Sequence, residues 1–215
     1  DMYDYRSEEE RRRTDALELV LHARLHAGSV VHALSAGVLG TRFSSSFERL
    51  AYNFVGSATV DGGTTLPADP TLTGENTNRD EHGTELFLRD AVQLDDRFSL
   101  WLALRHTALE RRSVGTDGSG ATSFQQSFNT PWLAASYRID AHQMIYASWG
   151  SGAESDVVPN RAQYVNAGQA LPTLLSEQFE LGLKGASDNA TWSVAAFDIM
   201  RPVFADIPES CDAQG

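Results

Sequence analysis

The sequence is poor in cysteine, and Cys211 is the only one among 215 residues. A single thiol cannot form an internal disulfide, so no cross-link within the chain holds its fold. Cys211 is therefore either a free thiol or the partner of a cysteine beyond this chain.

Long hydrophobic runs are also missing. The apolar runs span only a few residues, whereas a transmembrane helix needs roughly 20. The first residues, DMYDYRSEEERRRTDALELV, begin with acids and a charge run and lack the basic start and apolar stretch of a secretory signal. We expect no transmembrane helix, and we expect any export signal to lie upstream or to be absent.

Basic residues are scarce. The chain has 17 of them against 29 acidic residues, which gives a net charge of -12. Nucleic-acid binding needs a basic surface, so we predict no nucleic-acid partner.

Recognisable catalytic and metal-binding patterns are absent as well. There is no Ser/His/Asp arrangement in a familiar context and no phosphate-binding glycine loop, so we predict no catalytic residues, no enzyme and no cofactor. His22 and His26 have the spacing of helical metal ligands, but on a strand they would lie about 13 Å apart. A group of loop acids without regular ligand spacing is predicted to be solvated rather than metal-binding: Asp61, Asp69, Glu75, Asp80 and Glu81.

Alternation of apolar and polar side chains is the strongest pattern present. In residues 14–28 a leucine or alanine occupies every second position from Leu17 to Leu25. Period two predicts a strand, and the pattern recurs often enough to predict about eight strands in four hairpins. The facing of the last strand stays open, because either Trp192 and Val194 or Phe197 and Ile199 can form its apolar side. Charged residues opposite the leucines include Glu18, Arg24, Arg89, Arg105, Glu180 and Lys184, while Asp90 is the one charge on the apolar side.

The lengths of the connections alternate too. Turns within hairpins are short, whereas the chain between hairpins is long, with about forty loop residues predicted between Ser44 and Thr84 and a second long loop at 111–130. Outer-membrane barrels have short turns at one rim, long loops at the other and strands of about ten residues with one lipid-facing side. The pattern therefore predicts an all-β, antiparallel up-and-down transmembrane β-barrel.

Five segments resemble the TonB-dependent siderophore receptors of the bacterial outer membrane. The similarity lies in GSVVHALSAGV, ELFLRDAVQLDDRFSLWLALRH, MIYASWGSG, VPNRAQYVNAGQALPTLLSEQFELGLKG and WSVAAFDIMRP. The order and spacing of these segments carry the resemblance, which covers essentially the whole chain as an interior excerpt of the barrel.

The resemblance implies a fold and a function. Residues 1–215 would be about eight strands of one 22-stranded barrel domain, without the plug domain and the remaining strands. Its implied partners are a ferric siderophore as the transported ligand, the TonB complex through the absent plug, and outer-membrane lipid. We expect this excerpt not to close into a barrel alone, since open edges leave backbone groups unpaired in lipid.

Residues suited to an anionic chelate cluster in the third long loop and at the end of the strand before it. An aromatic surface, hydrogen-bonding groups and one cation are supplied by Trp149, Arg161, Gln163, Tyr164 and Asn166, which we predict to contact ligand. The alternative is that these residues only pack the loop and that the aromatic ones belong to an interfacial girdle.

Three other functions remain open from the sequence. A stand-alone eight-stranded barrel would act as an anchor or adhesin, and it would need a complete C-terminal strand. An outer-membrane lipase or protease would need a catalytic set, which is not found. A water-soluble β-protein that binds a ligand would not depend on detergent.

Overall fold

Ten antiparallel strands make up the fold. A computed structural model describes residues 2–7, 9–57, 61, 69, 71–158, 164–167 and 169–204, and Cys211 lies outside them. The strands are β1 Met2–Ser7, β2 Arg11–Ala27, β3 Val30–Ser46, β4 Leu50–Gly56, β5 Thr77–Gln93, β6 Phe98–Gly115, β7 Thr122–Arg138, β8 Gln143–Glu154, β9 Leu174–Ala186 and β10 Thr191–Met200. No helix in this part of the chain is long and apolar enough to cross a membrane.

Eight of the strands form one large sheet, in the order β10-β9-β8-β7-β6-β5-β3-β2. All neighbouring strands in the sheet are antiparallel, and they are consecutive in the sequence except that β3 pairs with β5, because β4 belongs to the small sheet. This order confirms the predicted all-β up-and-down fold and its eight strands. In the described residues the two edge strands, β2 and β10, do not pair with each other. The sheet is therefore open, and the chain does not form the closed eight-stranded barrel of the first alternative.

The two faces of the sheet differ as the alternation predicts. Leu21, Ala36, Leu88, Leu104 and Pro131 lie opposite one another on five successive strands. Leu21 is 72% exposed and Leu88 53%, and so continuous an apolar surface is suited to hydrocarbon rather than water. We call this side the outer face and the opposite side the inner face.

The register also places the last strand, whose facing the sequence leaves open. Val194 lies opposite Leu183, and Trp192 opposite Gly185, so these two side chains belong to the outer face. Phe197 lies opposite Glu180 and Ile199 opposite Gln178, which puts both on the inner face.

The prediction of ten-residue strands was wrong, because five strands are far longer. β2, β3, β5 and β7 have 17 residues each and β6 has 18. The supposed loop at 44–84 contains β4 and the start of β5, and the loop predicted at 111–130 shrinks to 116–121. Beyond the apolar band both faces of a strand are polar, so the alternation disappears from the sequence while the hydrogen-bonded ladder continues.

The small sheet of β1 and β4 continues the β2-β3 hairpin. Arg11 pairs with Ser46 and Ser7 with Leu50, and in both pairs the two residue numbers add to 57, so the register survives the interruption. We call this extension the ribbon. It makes one hairpin reach well past the rest of the sheet, at the end where the long connections lie.

Aromatic side chains cover glycines on the inner face. Phe87 lies opposite Gly37, Trp132 opposite Gly150 and Tyr146 opposite Gly182. A Cβ built on Gly37 would meet the Phe87 ring at 2.5 Å and the Leu19 carbonyl oxygen at 2.6 Å. Phe87 is only 7% exposed, because the missing side chain of Gly37 lets its ring lie flat on the neighbouring strand.

We therefore predict that Gly37→Ala destabilises the protein that carries this chain. The added methyl group has to displace either the Phe87 ring or the β2 backbone, and such overpacking costs about 1–3 kcal/mol. Urea unfolding in detergent micelles measures the free energy of unfolding.

Gly40→Ala is the matched control on the same strand, because a Cβ there has no atom within 4 Å. We expect little change in its unfolding free energy. Equal destabilisation by both substitutions would show that contact with Phe87 is not the cause.

Candidate functional site

A cavity of about 1060 Å³ lies at the end of the sheet where the long connections are found. The ribbon, the inner-face ends of β2, β3 and β5, and the connections together form its wall. Side chains from residues far apart in the sequence meet here, among them Tyr5, Arg12, Phe43, Phe47, Tyr52 and Arg79. We call it the rim cavity.

Aromatic rings supply one side of the rim cavity. Tyr5 and Tyr52 contact edge to face with ring centroids 6.2 Å apart, and Tyr52 stacks on Tyr3 at 5.1 Å. The guanidinium carbon of Arg12 lies 5.9 Å from the centre of the Phe47 ring. Tyr5 and Tyr52 are 61% and 58% exposed, so their ring surfaces are available to a ligand.

Two asparagines hold the ribbon against the following loop. Asn53, which is 7% exposed, donates to the carbonyl oxygens of Asp69 and Thr71 at 3.1 and 2.7 Å. Asn76 donates to the Ser7 hydroxyl at 3.1 Å and to the Glu48 carbonyl at 2.8 Å. Because buried amides of this kind fix the backbone around them, the aromatic wall has a defined position.

Arg79 is the unusual charge in this cavity. It is half buried, and within the described residues it makes no hydrogen bond or ion pair. Burial lowers the pKa of Arg79 and the nearby charge of Arg111 lowers it further, while the carboxylates of Glu81 and Asp156 raise it in part. A guanidinium stays protonated at neutral pH, so a half-buried Arg79 without a direct ion pair is available to bind an anion.

The carboxylate that also lines the cavity is already engaged. Glu75 accepts from Arg49 Nε at 2.5 Å and from the Thr116 hydroxyl at 2.5 Å. Both of its oxygens are therefore occupied, and Glu75 does not neutralise Arg79. The rim cavity combines aromatic surface with positive charge.

Arg111 lies nearby on the inner face and, unlike Arg79, has a carboxylate bound directly to its guanidinium. It is 5% exposed, and its Nε donates to Glu81 at 2.5 Å while Nη2 donates to the Ser155 hydroxyl at 2.7 Å. Only Nη1 has no partner in the part of the chain that the structure describes. Glu81 thus forms its direct ion pair with Arg111 and acts on Arg79 only at longer range.

Of the predicted ligand contacts in the third long loop, two lie in a segment that borders the rim cavity and two lie outside the described residues. Tyr164 and Asn166 belong to the segment 164–167, whose Ala167 lines the rim cavity. The Tyr164 carbonyl accepts from Ala167 N at 3.2 Å, and the Asn166 carbonyl accepts from Gln169 N at 3.0 Å. Arg161 and Gln163 lie outside the described residues.

Trp149 lies on the other side of the sheet. It is opposite Leu133 on β7 and Phe179 on β9, both of which belong to the outer face. This placement favours the interfacial girdle over ligand contact for Trp149.

The histidines and acids considered as metal ligands are dispersed. His22 Nδ1 is 2.9 Å from the Ser35 hydroxyl, and His32 Nδ1 is 2.8 Å from Asp90 Oδ2 on the outer face. No group of three or more His, Cys, Asp or Glu side chains suited to a metal ion occurs in the described ranges.

Sequence reasoning missed the side chains that form the cavity wall, among them Tyr5, Arg12, Tyr52 and Arg79. The signal for the ribbon was present in LAYNFVG, where Leu50, Tyr52 and Phe54 alternate with small or polar residues. No sequence pattern pointed to Arg79, because its lack of a direct ion pair depends on which neighbouring acids are already paired.

Comparison with known proteins settles the family. Residues 3–201 match the family model described as TonB dependent receptor-like, beta-barrel. The chain belongs to this family. No curated protein matches the sequence.

Solved structures share the fold of this receptor barrel. The ferric preacinetobactin receptor BauA from Acinetobacter baumannii has a TM-score of 0.72 and 20% identity over 90% of this chain and 29% of its own. The alcaligin outer-membrane receptor FauA from Bordetella pertussis has a TM-score of 0.69 and 20% identity over 94% of this chain and 31% of its own. The unliganded ferric citrate transporter FecA has a TM-score of 0.68 and 14% identity over 89% of this chain and 28% of its own. The chain thus spans less than a third of each.

A pair of substitutions tests the charge pairing in the receptor barrel. Glu81→Gln leaves Arg111 buried without its carboxylate, and we expect the unfolding free energy to fall by about 3 kcal/mol. Chemical denaturation of the detergent-solubilised protein measures the loss.

Glu110→Gln on the neighbouring strand is the control, because its partner Arg112 is 72% exposed. An exposed pair contributes at most about 1 kcal/mol. If the two variants are equally stable, Arg111 does not depend on Glu81 for its charge balance.

Proposed function

We propose that the protein carrying this chain is an outer-membrane receptor that takes up a ferric siderophore with energy relayed by TonB, and that it catalyses no reaction. The family is one of TonB-dependent receptors, whose barrels reside in the bacterial outer membrane. Structures that share the fold are those of receptors or transporters for ferric preacinetobactin, alcaligin and ferric citrate. The siderophore is the substrate, and the protein itself needs no cofactor.

Arg79 is the observation that carries this proposal. Iron chelates built from catechol, carboxylate or phenol groups are anions, and a guanidinium binds such oxygens with charge-assisted hydrogen bonds. A ligand anion that enters the rim cavity gives Arg79 the direct ion pair that it does not make within the described residues, while Tyr5 and Tyr52 cover the apolar surface of the ligand. Binding is favoured because the cost of burying the cation is already present in the free protein.

The loop residues complete the site in this proposal. In this proposal Tyr164 and Asn166, whose segment borders the cavity at Ala167, contact the ligand. Arg161 and Gln163 stay predicted contacts outside the described residues. Trp149 is assigned to the girdle. The plug and the other strands, which the family likeness implies, complete the pathway towards the periplasm.

The proposal predicts that Arg79→Gln weakens ligand binding by about ten- to a hundredfold, the worth of one hydrogen bond between charged groups. The same substitution should leave the unfolding free energy unchanged or raise it, because it removes a half-buried cation that makes no direct ion pair within the described residues. Quenching of tryptophan fluorescence gives the affinity for ferric catecholate, hydroxamate and citrate chelates.

Arg138→Gln serves as the control, since it removes an exposed charge near the short turns. Uptake of radioactive iron by cells whose only siderophore receptor is this protein gives the second measurement. Failure of every chelate to bind or to enter such cells would rule out the proposed function.

A further inference from the structure

Aromatic side chains from three segments of the chain line the rim cavity. Tyr5 and Tyr52 come from the ribbon, Phe43 from β3 and Phe47 from the connection between β3 and β4. The two tyrosines are more than half exposed, and Arg12 lies over the ring of Phe47. The cavity thus offers a ligand open ring surface.

Several polar groups of the same lining are already engaged within the protein. The Thr73 hydroxyl donates to Asn53 Oδ1 at 2.6 Å and accepts from the Tyr52 amide at 3.0 Å. The side-chain amide of Asn76 donates twice, and both carboxylate oxygens of Glu75 accept. These groups are therefore not free to bind a ligand that is rich in hydroxyl and carboxylate oxygens.

The ion pairs of the lining leave one guanidinium open to a ligand. Arg12 pairs with Glu10, and Glu75, the acid of the lining, pairs with Arg49. Arg79 makes no direct ion pair within the described residues. The charge that the cavity presents is therefore positive, and it attracts an anion rather than a cation or a neutral molecule.

Iron chelates differ in how well they match rings combined with a cation. A citrate chelate is anionic but has no ring, and most of its surface needs hydrogen-bond donors. A ferric trihydroxamate is uncharged and offers no anionic group to Arg79. A catecholate or phenolate chelate has both features, because its rings pack on aromatic side chains and its anionic oxygens bind a guanidinium.

The ribbon holds the two tyrosines in place before a ligand arrives. Tyr5 lies directly opposite Tyr52 on the neighbouring strand. The ring of Tyr52 stacks on that of Tyr3, with their planes 9° apart, and meets the ring of Tyr5 at 74°. Side chains that are already ordered lose little freedom on binding, so these rings can favour one class of ligand over another.

We propose that Tyr5 and Tyr52 make the rim cavity selective for iron chelates that hold the metal with aryl oxygens, as catecholates and phenolates do. The rings of the chelate pack against the two tyrosines, and its anionic oxygens bind Arg79. Citrate chelates use only the charge of Arg79, and trihydroxamates use neither feature fully. This inference rests on the proposed uptake function and names the class of ligand within it.

Binding to the full-length protein in detergent tests the selectivity. Isothermal titration calorimetry gives the affinities for a ferric tricatecholate, ferric citrate and a ferric trihydroxamate. We expect the wild type to bind the tricatecholate most tightly. The double variant Tyr5→Leu/Tyr52→Leu keeps apolar side chains but removes both rings, so it should bind the tricatecholate about tenfold more weakly. Ferric citrate should bind equally weakly to both forms.

The matched control is Tyr5→Phe/Tyr52→Phe, which keeps both rings and removes only the hydroxyl groups. It should bind the tricatecholate like the wild type, as should Tyr137→Leu beside the short turns. Tighter binding of citrate or the trihydroxamate than of the tricatecholate would overturn the selectivity and leave the uptake function standing. So would an unchanged tricatecholate affinity in the leucine variant. Failure of all three chelates to bind would overturn both proposals.

Discussion

The hydrogen-bonded ladder between neighbouring strands is the constraint on which everything else depends. In lipid no water can satisfy a backbone N–H or C=O group, so each strand must pair along its whole length. The ladder from β2 to β10 does this over most of the sheet, although β8 pairs with β7 only over Trp132–Arg138. Because the ladder fixes period two, it also fixes which side chains meet lipid and which meet the cavity side.

Much of this fold was predictable because the membrane sorts side chains so strictly. The leucines from Leu17 to Leu25 revealed β2, since hydrocarbon tolerates no polar residue at those positions. Above the membrane the constraint ends, and Thr122–Arg138 reads as a loop in its first half although it is strand throughout. Strand order is therefore readable from sequence, and so is facing wherever the alternation is clear, as it is not in β10. Strand length beyond the bilayer is decided by pairing partners that a single segment does not show.

The rim cavity was less predictable, because it arises from contacts between distant segments. Tyr164 and Asn166 could be picked as loop residues of suitable chemistry, and their segment does border the cavity. Tyr5 and Tyr52 became neighbours only because the β2-β3 register continues through the interruption into the ribbon. Trp149 shows that suitable chemistry alone does not identify a site residue. Its position along β8 places it opposite Phe179 on the outer face, away from the cavity.

Arg79 and Arg111 separate two uses of charge on one face of the sheet. Glu81 neutralises Arg111, so that pair serves the fold, and removing the acid would leave a buried charge. Arg79 has no direct ion pair within the described residues, although the carboxylates of Glu81 and Asp156 act on it at longer range. Its guanidinium is therefore available to an anion that enters the rim cavity. The surroundings of each arginine, rather than its identity, thus separate a charge that is paired within the fold from one that is available to a ligand.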